Sequence, residues 1–207
     1  MNFRKVKNGG NFNMEDYMDF IQPYEYAMKS IVVKLEAMDK DFPIHNVQHR
    51  LKKSESILGK LKRKGLEESL EYAREHLTDV AGIRVICYFT EDVYLVEEML
   101  KKIPEIVILK EVDYIKNPKE NGYRSFHLVV GIPIFYAQDK EYYPVEIQIR
   151  TLSMDLWASM EHRISYKQNP LLKKTTFKEL LEYSDELIEM EEKMKRLQYM
   201  EKMYKIV

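Results

Sequence analysis

Cysteine is nearly absent from this chain. Cys87 is alone among 207 residues, so no intramolecular disulfide can form and no cysteine-rich zinc module can be assembled. A reduced, cytoplasmic protein is the expectation. Glycine and proline are scarce as well, at seven each, which excludes collagen-like and linker-dominated chains. No apolar run approaches the ~20 residues that a membrane-spanning helix needs, so no membrane partner is expected. The first residues (MNFRKVKNGGNF) lack the apolar stretch of a secretory signal. Neither sign of charge dominates. With 33 basic against 34 acidic residues the net charge is −1, which excludes polyanion binding by bulk charge.

Hydrophobic residues make up 45% of the chain, enough for a real core, and charged residues 32%, enough to solvate the surface. The charge is unevenly spread. Residues 50–65 (RLKKSESILGKLKRKG) hold seven Lys/Arg against one Glu, whereas residues 179–192 (ELLEYSDELIEMEE) hold seven acids and no base. A basic stretch inside a neutral chain suggests a compact anion site rather than a long nucleic-acid face.

Apolar periodicity divides the chain. Residues 1–13 read as frayed. Tyr17 to Met38 follow helical spacing, with Pro23 starting or kinking the helix and Phe42-Pro43 stopping it. His45 to Lys52 reads as a short extended segment. Ser54 is placed as the N-cap of a helix ending near Gly65, and Glu67 to His76 as a second short helix. Ala81–Phe89 (AGIRVICYF) is β-rich, Glu91–Lys102 helical, and Ile106–Ile115 alternates like a strand. Residues 116–124 form a turn-rich loop, followed by a strand over Ser125–Ile132. In Tyr142–Arg150 (YYPVEIQIR), Val145, Ile147 and Ile149 take one face and Glu146, Gln148 and Arg150 the other. Leu152–Tyr166 is helical, Pro170 breaks it, and Thr176–Ile206 is one long amphipathic helix or a helical pair. The fold class is therefore α+β, a mixed β-sheet flanked by helices. One domain is expected over 1–207, with a core at about 45–168 and helical extensions at 14–41 and 175–206. The apolar positions of the last extension (Phe177, Leu180, Leu181, Leu187, Ile188, Met194, Leu197) face either the core or another subunit.

Several familiar motifs are missing. There is no Gly-x-Gly-x-x-Gly loop and no Gly-x-Ser-x-Gly elbow. Gly59-Lys60 resembles the end of a P-loop, but Ser54 stands where the first glycine belongs and Leu61 where a hydroxyl residue belongs. His45 and His49 are four apart without the glutamate of a zinc-hydrolase helix, and read as polar residues on an exposed strand.

Four constellations could carry chemistry. On a helix from Ser54, Ser56, Lys60 and Arg63 share a face; with Arg50 and Lys52 they make either a multi-phosphate site or a solvated basic face. Asp79, just before a hydrophobic strand bearing Arg84, is either a Mg²⁺ ligand or a turn aspartate. The loop Lys116–His127 (KNPKENGYRSFH) offers Tyr123 for stacking on a base, Asn121 and His127 for base edges, and Lys116 and Lys119 for phosphate. The alternative is an ordinary hairpin loop. Glu146, Gln148 and Arg150 form a polar row that is either a cleft floor or the solvent face of an edge strand; a glutamate there can bind metal or take a proton from an attacking hydroxyl. Together these describe phosphoryl-type transfer between nucleotides, which is mostly positioning and charge stabilisation.

The pieces Arg50-x-Lys52-x-x-x-Ser56-x-x-x-Lys60-x-x-Arg63, Asp79-x-x-Gly82-x-Arg84, Asn121-Gly122-Tyr123-Arg124-Ser125-x-His127 and Val145-Glu146-Ile147-Gln148-Ile149-Arg150-Thr151, followed by MDLWASMEH (Met154 to His162), resemble in order and spacing the synthetase domain of the Rel/Spo homologue family. The short length, without an upstream His-Asp hydrolase domain, resembles its small alarmone synthetases of the RelQ/RelP type. The resemblance implies a nucleotidyltransferase-like fold and transfer of the β,γ-pyrophosphate of ATP to the 3′-hydroxyl of GDP or GTP, leaving AMP. It implies Arg50 and Arg84 on the adenine, with Lys52, Ser56, Lys60 and Arg63 on the ATP phosphates. Asp79 and Glu146 would hold Mg²⁺, Glu146 also drawing the proton. Tyr123 would stack on guanine, with Lys116, Asn121, His127 and Gln148 around the acceptor. It further implies a homotetramer through the terminal helices, with an alarmone or single-stranded RNA as regulator. Two rivals stand beside it. A toxin of the same fold that pyrophosphorylates tRNA 3′ ends would need an extra basic surface, which the acidic C-terminal helix does not offer. A non-catalytic nucleotide- or RNA-binding module would not need the carboxylates Asp79 and Glu146.

Overall fold

The computed structural model describes residues 12–38, 43–136, 139–165 and 173–204. Eleven elements follow in order: α1 (Met14–Met38), β1 (Ile44–Leu51), α2 (Ser54–Arg63), α3 (Leu70–His76), β2 (Ala81–Cys87), α4 (Thr90–Lys101), β3 (Val107–Asp113), β4 (Phe126–Phe135), β5 (Lys140–Thr151), α5 (Leu152–Ser165) and α6 (Lys173–Tyr204). The strands form one mixed sheet in the order β1-β2-β5-β4-β3. Among the described residues the β2–β5 pair is parallel and the other three pairs are antiparallel. This is the expected α+β arrangement. The helix stop at Phe42, the break at Pro170 and the outer ends of both helical extensions lie outside the described residues. No described helix is long and apolar enough to cross a membrane.

Residues with a period of 3.6 build α1: Phe20, Ile21, Tyr24, Ala27, Met28, Ile31, Val32 and Leu35 are all buried. Pro23 lies within this helix and does not end it. Together with α4 (Val93, Val96, Leu100), α1 covers the sheet face that carries Val145, Ile147 and Ile149, in a single core. Alternation then turns Glu146 and Gln148 to the opposite face.

Three local features depart from the sequence expectation. Lys53, not Ser54, is the N-cap of α2, and its side chain caps nothing. Ser54 is instead the first helical residue. The helix ends as expected near Gly65, which follows the C-cap Lys64 and whose φ of 68° suits the left-handed turn, with Leu66 N–H bonded to the Leu61 carbonyl at 3.1 Å. Helix α3 starts at Leu70 because the Ser69 hydroxyl accepts the Tyr72 N–H at 3.2 Å and caps it there. Strand β4 runs past Ile132 to Phe135, because Pro133 and Phe135 still pair with Tyr142 and Lys140 of β5.

The C-terminal helix divides near Glu191. Leu180 is buried and Phe177, Leu187 and Ile188 are half-buried, whereas Met194, Leu197, Met200 and Met203 are exposed. The first half packs on α5 and the second half does not face the core.

Candidate active site

The register of the sheet lays out the site in two rows. Arg50, Gly82, Glu146 and Val129 stand opposite one another across β1, β2, β5 and β4; Gln48, Arg84, Gln148 and His127 form the next row. Residues directly opposite in a sheet point to the same face, so this face carries the charged groups. Above it lies a cleft lined by Gln48, His49, Arg50, Lys52, Asp79, Gly82, Ile83, Arg84, Glu146 and Gln148. Gly82 leaves room in the centre. A Cβ there would meet only the Arg50 carbonyl, at 3.9 Å, and would protrude beside Glu146.

Two carboxylates anchor the cleft. Asp79 sits two residues before β2, and its Oδ2 accepts from Lys52 Nζ at 2.7 Å and Lys60 Nζ at 2.6 Å. Burial pushes the Asp79 carboxyl up, but the hydrogen bonds and charges of the two lysines outweigh it and hold the group below the usual carboxylate range. Asp79 Oδ1 is buried and has no hydrogen-bond partner. Glu146 Oε2 accepts from Gln148 Nε2 at 3.0 Å, and Oε1 lies 3.6 Å from His127 Nδ1. Burial raises Glu146 as well, yet the hydrogen bond and charge of His127, with Gln148, bring it below its ordinary value against the opposing charge of Asp79. Both acids are therefore ionised at neutral pH.

An orphaned buried oxygen beside a second carboxylate is a donor set that suits a hard divalent cation. Among the described residues no cluster of three or more His, Cys, Asp or Glu could hold a metal. Two protein carboxylates with the remaining positions open is the pattern of Mg²⁺, which keeps water and phosphate oxygens as ligands.

Beside the cleft stands the loop before β4. Asn121 Oδ1 accepts the Tyr123 N–H at 3.2 Å, and Gly122 turns the chain at φ 89°. Tyr123 packs edge-on to Tyr114, His127 and Trp157. Its hydroxyl accepts from Arg150 Nη2 at 2.8 Å and stands 2.8 Å from His127 Nε2. Since Arg150 can only donate, the Tyr123 oxygen is the acceptor in that bond. Lys119 Nζ lies 4.6 Å from the Tyr123 ring centre and Arg150 Cζ 5.3 Å. The loop is held from behind by α6. Ser184 Oγ donates to the Gly122 carbonyl at 2.6 Å, and Arg124 Nη2 donates to Asp185 Oδ1 at 2.8 Å.

The structure thus brings Arg50, Lys52, Asp79, Arg84, Glu146 and Gln148 into one cleft, with Lys60 reaching it through Asp79 and His127 and Tyr123 beside it. Ser56 and Arg63 are exposed on α2 and do not line the cleft. Arg63 lies back over Gly59. Lys116 points away, 3.6 Å from Asp113 and 4.9 Å from the Tyr94 ring centre. Asn121 spends its carbonyl oxygen on the loop itself. The polar row of β5 is only partly a floor, since Arg150 is 4% exposed and bonds inward. Sequence reasoning quoted Asp155 within Met154–His162 but gave it no role; this carboxylate takes Arg84 Nη1 and Arg150 Nη1 on one oxygen at 3.1 Å each. It also missed Gln48, Tyr114 and the α6 clamp. No periodicity marks them, because each works across two or more elements.

Residues 49–170 match the region found in RelA / SpoT proteins. The GTP pyrophosphokinase YwaC of Bacillus subtilis (strain 168) is 39% identical over 188 residues, covering 87% of this chain and 90% of that protein. The crystal structure of small alarmone synthetase 1 from Bacillus subtilis, bound to its product pppGpp, matches with a TM-score of 0.80 at 32% identity, over 91% of this chain and 99% of that one. Small alarmone synthetase 2 of the same organism matches with a TM-score of 0.78 at 37% identity, over 89% and 98%. A paired-carboxylate cleft at the sheet's parallel seam, in a chain that matches these proteins over most of its length, belongs to the RelA/SpoT family.

Proposed function

We propose that this chain is a small alarmone synthetase: it transfers the β,γ-pyrophosphoryl group of ATP to the ribose 3′-hydroxyl of GDP or GTP, giving ppGpp or pppGpp and AMP. The observation that carries the reading is Asp79 paired with Glu146 in a cleft edged by Arg50, Lys52 and Arg84. The relatives named GTP pyrophosphokinase, and the neighbour bound to pppGpp, support it.

Glu146, ionised and oriented by Gln148 and His127, accepts the proton of the 3′-hydroxyl. The freed oxygen attacks the β-phosphorus of ATP, forming the new O–P bond as the bond to the α,β-bridging oxygen breaks. AMP departs with that electron pair. Arg50 and Arg84 present flat guanidinium groups to the adenine. Lys52 and Lys60 meet the phosphates, and Ser56 and Arg63 on the exposed face of α2 extend that contact. Tyr123 takes the guanine once Lys119 leaves its face, with Asn121, His127 and Gln148 around the acceptor; Lys116 joins them only by leaving Asp113. Asp79, through its free Oδ1, and Glu146 would hold Mg²⁺, which when bound neutralises phosphate charge.

This reading takes residues 1–207 as one synthetase domain working in the cytoplasm as a homotetramer. Support for assembly through terminal helices comes from the exposed methionines of α6, and the exposed stripe Leu152, Leu156, Met160 and Ile164 of α5, spaced four apart, offers a further apolar contact face. The test uses γ-labelled ATP and Mg²⁺ in parallel with GDP, GTP and deacylated tRNA. Label on GDP or GTP is expected. Label on tRNA alone would overturn the proposed acceptor, and no transfer at all would overturn the enzyme reading.

A further inference from the structure

Arg150 is 4% exposed, yet all of its guanidinium nitrogens are engaged. Nε donates to Ser125 Oγ at 3.4 Å, Nη1 to Asp155 Oδ1 at 3.1 Å, and Nη2 both to Tyr123 OH at 2.8 Å and to Gln148 Oε1 at 2.5 Å. Asp155 Oδ1 receives Arg84 Nη1 at the same 3.1 Å. One carboxylate oxygen thus bridges two cations. Arg84 belongs to the half of the cleft assigned to ATP, whereas Tyr123 and Gln148 belong to the half assigned to the guanine nucleotide. Neither Arg150 nor Asp155 lines the cleft. A buried, fully bonded arginine that touches one subsite's residues and shares its counter-ion with the other's has two separate surroundings to satisfy at once.

We propose that Asp155 and Arg150 are positioning residues that couple the two nucleotide subsites of this enzyme, so that filling one prepares the other. Asp155 lies in the first turn of α5, which follows β5 without a loop, so a rigid strand-to-helix corner fixes its distance from Arg150. When adenine engages Arg84, that guanidinium and its carboxylate are held in one arrangement. Arg150 is then held with them, and through Nη2 it fixes the Tyr123 ring and the Gln148 amide that meet the second nucleotide. The ordering cost falls on the first ligand and is spared the second. Linkage requires the same coupling in reverse.

The inference rests on the synthetase reading, and the experiment separates the two. Calorimetric titrations in Mg²⁺ measure GDP affinity with and without saturating AMPCPP, an ATP analogue that cannot transfer, and AMPCPP affinity with and without GDP. In the wild type each ligand should tighten the other by at least ~5-fold, within the usual range of coupling between sites. Asp155→Asn removes the bridging charge and keeps the shape. It should bring the coupling factor below ~2 while either affinity measured alone changes by less. Tyr123→Phe deletes only the hydroxyl that Arg150 holds, keeps the stacking ring, and should lose coupling likewise. Glu105→Gln cuts the exposed Lys34–Glu105 ion pair, away from the cleft and the network, and should keep it. Wild-type binding of both ligands with no mutual effect would overturn the coupling alone. Binding of neither would overturn the synthetase reading with it. Unchanged coupling in Asp155→Asn and Tyr123→Phe, or equal loss in Glu105→Gln, would also sink the proposal.

Discussion

Gly122→Ala tests whether the C-terminal helix sets the acceptor loop. Gly122 is buried at φ 89°, where an L side chain costs about 1–2 kcal/mol. A Cβ there would come within 2.8 Å of Ser184 Cβ, 3.0 Å of Leu181 Cα and 3.2 Å of the Leu180 carbonyl. Two of these three are backbone atoms of α6 and cannot swing away, so overpacking adds about 1–3 kcal/mol. The sum, about 2–5 kcal/mol, lowers Tm by roughly 4–20 °C for a chain of this size. Relief by movement would separate the loop from α6, break the Ser184 bond to the Gly122 carbonyl and shift Tyr123. Thermal melting and steady-state kinetics read both effects. KM for GDP should rise several-fold while KM for ATP at saturating acceptor changes less. In the double variant with Ser184→Gly the 2.8 Å contact disappears but the backbone conflicts stay, so a thermodynamic cycle should recover part of the loss, about 0.5–3 kcal/mol. A Tm within about 2 °C of wild type together with an unchanged KM for GDP would refute the clamp.

Other outcomes follow from the same geometry. Glu146→Gln keeps the size of the side chain but cannot accept a proton; kcat should fall by about 10²–10⁴-fold with GDP and AMPCPP still bound, and retention of more than a tenth of kcat would remove the general-base role. Burial pushes the Cys87 thiol up to about 12, with the charges of Asp92 and Glu191 acting the same way. The folded state therefore holds a proton that the unfolded chain gives up near ~8.5, so this contribution to stability is complete below that pH and is lost as pH rises toward the folded value. Between pH 8.5 and 9.5, below the range where tyrosines titrate, urea unfolding of the wild type should weaken with a slope approaching ~1.4 kcal/mol per pH unit that Cys87→Ala lacks. Parallel slopes for the two proteins would show that the thiol is not held protonated.

Periodicity and punctuation determined much of this protein by themselves. The apolar positions of α1, the alternation of Val145, Ile147 and Ile149 against Glu146 and Gln148, and the glycine after α2 each express a local rule, because side-chain direction repeats every 3.6 or 2 residues whatever the rest of the chain does. The polar row of β5 was legible for the same reason, since a polar residue at a fixed strand period must share its neighbour's face, whereas Gly82 and Arg84 of β2 stood out only through the resemblance to the family's motif. Only the tertiary structure decided which of the expected cations meet an anion. Lys52 and Lys60 converge on Asp79, whereas Ser56 and Arg63 remain on the exposed face of α2 and Lys116 turns to Asp113. It alone paired β2 with β5 in parallel, which brings Asp79 and Glu146 into the same cleft although 67 positions separate them in the chain. The Arg84–Asp155–Arg150 bridge and the grip of Ser184 on Gly122 were likewise invisible in one dimension. Such contacts join elements through sheet register and helix packing, and the free energy that selects them comes from burying the whole core at once, not from any local spacing.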